Sequence, residues 1–142
     1  MDIPFPVVLF VDDEERNLRL YKRIFERLGY VVLTARNGQD ALDTHEVRFS
    51  KGNVDVIVTD VAMSVMDGPT FVAELRQRFP QLTCPILFLT GSAGDTRLKD
   101  EIVLLKPMSP QELGQAIASR LKPVPSIPPP RSPMPSEGGS GS

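Results

Sequence analysis

The chain has 142 residues, 41% apolar and 24% charged, the size of one compact domain with a little to spare and too short for a multidomain enzyme. Sixteen basic against eighteen acidic side chains leave a net charge of −2, so no overall positive field draws the protein to nucleic acid or anionic lipid. No apolar run approaches the roughly 18 residues that span a bilayer, the amino terminus has no basic stretch, and the lone Cys84 can form no internal disulfide, so a cytoplasmic protein without a membrane anchor is expected.

In chain order, the first apolar run is Val7 to Val11, and Asp12 and Asp13 follow it. Leu18, Tyr21, Phe25 and Leu28 then recur at helical spacing and stop at Gly29, which predicts an amphipathic helix. A second run, Tyr30 to Leu33, and a third, Val54 to Val58, are joined by a stretch assigned to one further helix; Thr59 and Asp60 come next. Phe71, Leu75 and Phe79 mark a helix that Pro69 can open after Gly68 and that Pro80 ends. The fourth run, Ile86 to Leu89, leads to Thr90, and the fifth, Ile102 to Leu105, to Lys106 and Pro107. Ser109-Pro110-Gln111-Glu112 reads as a capping box, and Leu113, Ile117 and Leu121 form the face of the helix it starts.

Most of these runs do not alternate apolar with polar residues. Continuous apolar strands are covered on both faces, the mark of a parallel sheet between helices. With right-handed crossovers, this order favours an α/β fold with an open, doubly wound, five-stranded sheet. The helix between the fourth and fifth runs is the exception. Gly91 to Glu101 has no apolar periodicity, and Thr90 and Lys106 stand only 16 positions apart, which leaves room for a turn or two. From Lys122 the composition changes, and seven of the 14 prolines fall between Pro123 and Pro135. Residues 1–121 are therefore assigned to the domain. Residues 122–142 are assigned to a Pro/Gly/Ser-rich disordered tail or linker, since Val124, Ile127 and Met134 are too few to offset the entropy of ordering it.

Ligands of doubly wound sheets bind beyond the carboxyl ends of the strands, where strand order reverses. At those ends the sequence puts Asp12, Asp13, Asp60, Thr90 and Lys106. Carboxylates crowded together repel unless a cation compensates them, and an all-oxygen set selects a hard ion such as Mg²⁺ alongside a substrate phosphate. Each residue alone has a plainer reading: Asp12 and Asp13 as helix caps, Thr90 as a buried hydroxyl, Lys106 as a solvated lysine. Their joint position carries the inference.

LFVDDE (Leu9 to Glu14), VDVIVTDVAMSVMDG (Val54 to Gly68), ILFLTG (Ile86 to Gly91) and IVLLKP (Ile102 to Pro107) together resemble the receiver domain of two-component response regulators, over roughly residues 5 to 121. The resemblance implies a flavodoxin-like sheet of order 2-1-3-4-5, here with the family's helix 4, the one between the fourth and fifth strands, shortened or missing. It implies Asp60 as phosphoacceptor, with Mg²⁺ held by Asp12, Asp13, Asp60 and the backbone carbonyl of Ala62, Thr90 as switch hydroxyl and Lys106 as the cation on the phosphoryl group. It further implies a sensor histidine kinase or phosphotransfer protein as partner, no direct contact with nucleic acid or membrane, and no enzyme activity beyond self-directed phosphoryl transfer and autodephosphorylation. A homodimer is left open. The family's aromatic switch position, three before the lysine, is Val103, and Ser64 stands where a proline is common.

Two rival readings share some of these features. A haloacid-dehalogenase-type phosphatase also uses a strand-end aspartate, but it needs a second acid two positions on, where Ala62 stands. A receiver-like interaction module that is never phosphorylated is the other. Elsewhere the plain readings hold: His45 as a surface residue, Cys84 as half-buried and inert, Met63 and Met66 as packing residues, and Asp67-Gly68 as a turn and helix start.

Overall fold

In a computed structural model, residues 5–92 and 94–121 are described, so the expected tail over 122–142 lies outside them. The apolar runs become five strands: β1 (Val7–Val11), β2 (Val31–Ala35), β3 (Val56–Asp60), β4 (Ile86–Thr90) and β5 (Ile102–Leu105). They form one parallel sheet of order β2-β1-β3-β4-β5. Strand order reverses at β1, which leaves a crevice between the carboxyl ends of β1 and β3.

Successive strand side chains point to opposite faces, and each face has its own core. Val8 and Phe10 of β1, Val56 and Val58 of β3, and Leu87 and Leu89 of β4 pack with Leu18 and Phe25 of α1 (Glu15–Arg27). The same face takes Leu113 and Ile117 of α5 (Pro110–Ala118). On the other face Leu9, Val11, Ile57 and Phe88 meet α2 (Gly38–Thr44), α3 (Glu46–Lys51) and α4 (Gly68–Arg78), through Ala41, Leu42, Phe49, Phe71 and Leu75. Each fully buried Leu or Phe stabilises the fold by about 1.5–3 kcal/mol relative to exposure. Both faces are thus committed to helices, and only the strand ends are free to carry polar groups.

Local signals set the helix starts. Asp67 accepts the Thr70 N–H and opens α4 with Pro69 in the first turn, and Ser109 and Glu112 complete the capping box of α5. Among the described residues no helix is long and apolar enough to cross a membrane.

Several expectations are corrected. β3 runs two residues later than its apolar run, so Thr59 and Asp60 belong to the strand itself. The connection from β2 to β3 holds two short helices, because α2 ends and α3 begins at His45. His45 is half-buried rather than a surface residue: its Nε2–H donates to the Thr34 carbonyl at 2.8 Å. Leu28, counted on the apolar face of α1, caps that helix and is 62% exposed. The connection between β4 and β5, by contrast, is as short of helix as expected: among its described residues it holds a 3₁₀ turn, Thr96–Leu98.

Candidate functional site

Asp12 follows β1, and its N–H is bonded to the Ala35 carbonyl at 3.1 Å, which fixes the start of the loop into α1. The side chain is 2% exposed. Its Oδ1 accepts the Glu14 N–H at 2.8 Å and its Oδ2 the Asn17 amide at 3.1 Å. Asp13 beside it is exposed. Asp60 ends β3 at 6% exposure, opposite Leu89 of β4. One carboxylate oxygen from each of Asp12, Asp13 and Asp60 lies within 4.8 Å of the others.

Lys106 follows β5, and its N–H is anchored on the Thr90 carbonyl at 2.8 Å. Its Nζ stands 2.9 Å from Asp60 Oδ1. The approach is that of an ion pair, not an aligned hydrogen bond, so among the described residues this buried oxygen has a charge partner but no directed donor. Such an orphaned oxygen beside two further carboxylates fits a hard cation. Its oxygen-only donor set fits a hard divalent cation such as Mg²⁺.

Electrostatics follow from this crowding. Burial pushes the Asp60 carboxyl up from 3.8 to about 6, and the Asp12 charge adds to the effect, while Lys106 opposes it. Burial works against the charge on Lys106, but the Asp60 carboxylate outweighs it and holds the ammonium above its usual value. Tyr21, stacked on Phe10 with ring centroids 4.7 Å apart, is pushed up to about 12 by burial and then by the charges of Asp12 and Asp60.

Thr90 ends β4 with its hydroxyl engaged in its own loop, donating to the Ser92 carbonyl at 2.9 Å and accepting the Ser92 N–H at 3.2 Å. Ala62 stands exposed in the loop after β3. That loop closes tightly: the Gly68 N–H bonds the Val61 carbonyl at 2.8 Å, and a Cβ on Gly68 would collide with the Asp60 carbonyl. Glycine is therefore required there by close approach. Val65 in the same loop adopts φ 67°, a strained value for a β-branched residue. Val103 is half-buried against the core, and the Cys84 thiol is pushed by burial to about 11, which keeps it unreactive.

Asp12, Asp13, Asp60 and Lys106 are thus brought together at one rim, with Thr90 on the adjoining strand end. Sequence reasoning missed Asn17, whose amide bonds Asp12 from five positions on. The signal was present only as an amide in the first turn of α1. It also missed the ion pairs Arg97 to Asp67 at 3.1 Å and Arg76 to Glu101 at 2.7 Å, which tie the β4–β5 connection to α4 and join residues far apart in sequence.

Known proteins share both pattern and shape. The response regulator receiver domain pattern matches residues 8–118. The chain is 34% identical over 121 residues to the alkaline phosphatase synthesis transcriptional regulatory protein PhoP of Bacillus subtilis, which covers 81% of this chain and 48% of that protein. It is 33% identical over 121 residues to the sensor kinase CckA of Brucella abortus, covering 81% of this chain and 12% of the kinase. The chain therefore spans at most about half the length of these relatives. The solved structure of the chemotaxis protein CheY4 of Vibrio cholerae superposes with a TM-score of 0.73 at 31% identity, over 83% of this chain and all of that one. The receiver domain of the hybrid histidine kinase CckA gives 0.68 at 30% identity, over 82% and 99%.

Proposed function

Because the chain belongs to the response regulator receiver domain family, whose members are phosphoacceptor modules of two-component signalling, we propose that Asp60 accepts the phosphoryl group. The donor is a phosphohistidine on a sensor histidine kinase or phosphotransfer protein, a partner class suggested by receivers that form part of sensor kinases. One observation carries the reading: a buried carboxylate at a strand end with an ammonium 2.9 Å away and two more carboxylates beside it.

The ionised Asp60 oxygen attacks phosphorus in line, the new O–P bond forms as the P–N bond breaks, and the donor imidazole takes up a proton as it leaves. Lys106 offsets charge on a phosphoryl oxygen. Asp12, Asp13, Asp60 and the Ala62 carbonyl would hold Mg²⁺, which when bound screens the carboxylates from one another and from the incoming phosphoryl oxygens. Thr90 gives up its bonds within the Ser92 turn and turns toward the phosphoryl group, which shifts the loop after β4 and the surface a partner reads. The domain is a signalling switch, and its site of action is the cytoplasm.

The test is labelling of the full chain with radioactive acetyl phosphate and Mg²⁺. Wild type takes up label as an acyl phosphate and Asp60→Asn takes up none while remaining folded. Label retained in Asp60→Asn refutes the assignment. Absence of Mg²⁺-dependent labelling in the wild type favours the rival reading of an unphosphorylated interaction module.

A further inference from the structure

Of the three clustered carboxylates, Asp12 alone is gripped by donors on both oxygens among the described residues: the Glu14 N–H on Oδ1 at 2.8 Å and the Asn17 amide on Oδ2 at 3.1 Å. The Glu14 contact is backbone and would survive almost any substitution. The Asn17 contact depends on one side chain, half-buried in the first turn of α1, whose own N–H is fixed on the Glu14 carbonyl at 3.0 Å. Two donors from different directions fix the plane of the Asp12 carboxylate, and each of its oxygens keeps a lone pair for a cation. The donor is also neutral. A lysine or arginine reaching the same oxygen would orient Asp12 but cancel the charge that attracts a metal, whereas an amide orients without neutralising.

We propose that Asn17 is a positioning residue for the divalent cation, holding Asp12 in the orientation that binds it. The inference rests on the metal-binding reading of Asp12, Asp13 and Asp60. Partners that orient a ligand in this way are worth about 10- to 100-fold in metal affinity. Asn17 sits toward the low end, because the Glu14 N–H still holds the other oxygen.

The experiment is calorimetric titration of the full chain with MgCl₂, without any phosphodonor, on wild type, Asn17→Leu, Asn17→Gln and Asp12→Asn. Leucine keeps the volume and removes the donor, so Asn17→Leu should bind Mg²⁺ about tenfold more weakly while its metal-free melting temperature stays close to wild type. Asn17→Gln, which keeps a donor, should recover most of the loss. A residue with only a structural part would lower the melting temperature and leave affinity alone. An Asn17→Leu affinity within twofold of wild type overturns the proposal. If Asp12→Asn also binds as wild type does, the metal reading itself has failed, and the positioning role with it. Should Asn17→Leu not fold, the wild type decides by NMR. The Asn17 side-chain amide signals must shift with the same midpoint as the backbone signals of Asp12 and Asp60 during the MgCl₂ titration, and unmoved amide signals overturn the proposal.

Discussion

Lys106 reaches Asp60 across an intervening strand: Lys106 follows β5 and Asp60 ends β3, strands that lie on either side of β4, yet Nζ and Oδ1 are 2.9 Å apart. The lysine compensates a carboxylate that is almost fully buried, while remaining partly exposed itself. Lys106→Met keeps the aliphatic length and removes the charge. In metal-free protein at pH 7.5 it should lower stability by about 1–2 kcal/mol, less than for a fully buried pair because the ammonium is partly solvated. In an Asp60→Asn background the same change should cost almost nothing. Urea unfolding of the four proteins measures this coupling, and equal losses in both backgrounds would show that the pair does not act as one.

The Asp60 carboxyl, pushed up from 3.8 to about 6 first by burial, predicts an unusual dependence on pH. Its folded value lies above its unfolded one, so ionising it costs the fold. That cost is complete above pH 6 and disappears as the pH falls through 6 towards 4. Asp60→Asn never carries it. In EDTA at pH 7.5 the variant should therefore be more stable than wild type by about 3 kcal/mol, and the gap should fall to roughly half by pH 5 and close only near pH 4. Thermal melts across this range check it; a gap that does not change with pH would place the cost elsewhere.

Val65 holds φ 67° at 81% exposure in the loop that follows Asp60. A β-branched residue pays about 1–2 kcal/mol for that conformation, and asparagine tolerates it far better. Val65→Asn should raise stability by about 0.5–1 kcal/mol without weakening Mg²⁺ binding, since the side chain points into solvent. A drop in stability on chemical denaturation would mean that the loop relaxes once the valine is gone.

Strand ends were legible in the sequence wherever an apolar run stops at a polar residue, as β1 does before Asp12 and β5 before Lys106. β3 was displaced by two residues because Thr59 and Asp60, though polar, are buried within the strand as part of the site, a placement hydropathy cannot express. The break between α2 and α3 rests on a bond from His45 to Thr34, eleven residues apart, which leaves no trace in helical periodicity. Asn17 was hidden for a related reason. It lies in the polar stretch Glu14-Glu15-Arg16-Asn17, which reads as a solvated helix start until the fold turns it toward Asp12. Short-range patterns gave the elements, whereas the partners that tune the site came from tertiary contacts.

With only a 3₁₀ turn among its described residues, the connection between β4 and β5 needs other anchors, and it has Leu98, 6% exposed, together with the bidentate pair of Arg76 with Glu101 at 2.7 and 3.0 Å. Glu101 is mostly sheltered while Arg76 is half-exposed, so the pair should lie at the upper end of surface ion pairs, about 1 kcal/mol. Arg76→Ala and Glu101→Ala should each destabilise by about that amount, and the double variant by little more than either alone. Raising NaCl from 0.05 to 0.5 M, which shortens the screening length from ~14 to ~4 Å, should shrink the effect without abolishing it. Hydrogen exchange gives the local readout: in Arg76→Ala the amides of Leu98 and Glu101, bonded to the Asp95 and Leu98 carbonyls, should exchange faster while those of β4 do not. Uniform acceleration across the sheet would instead make the pair part of the global fold rather than a tether for this one connection.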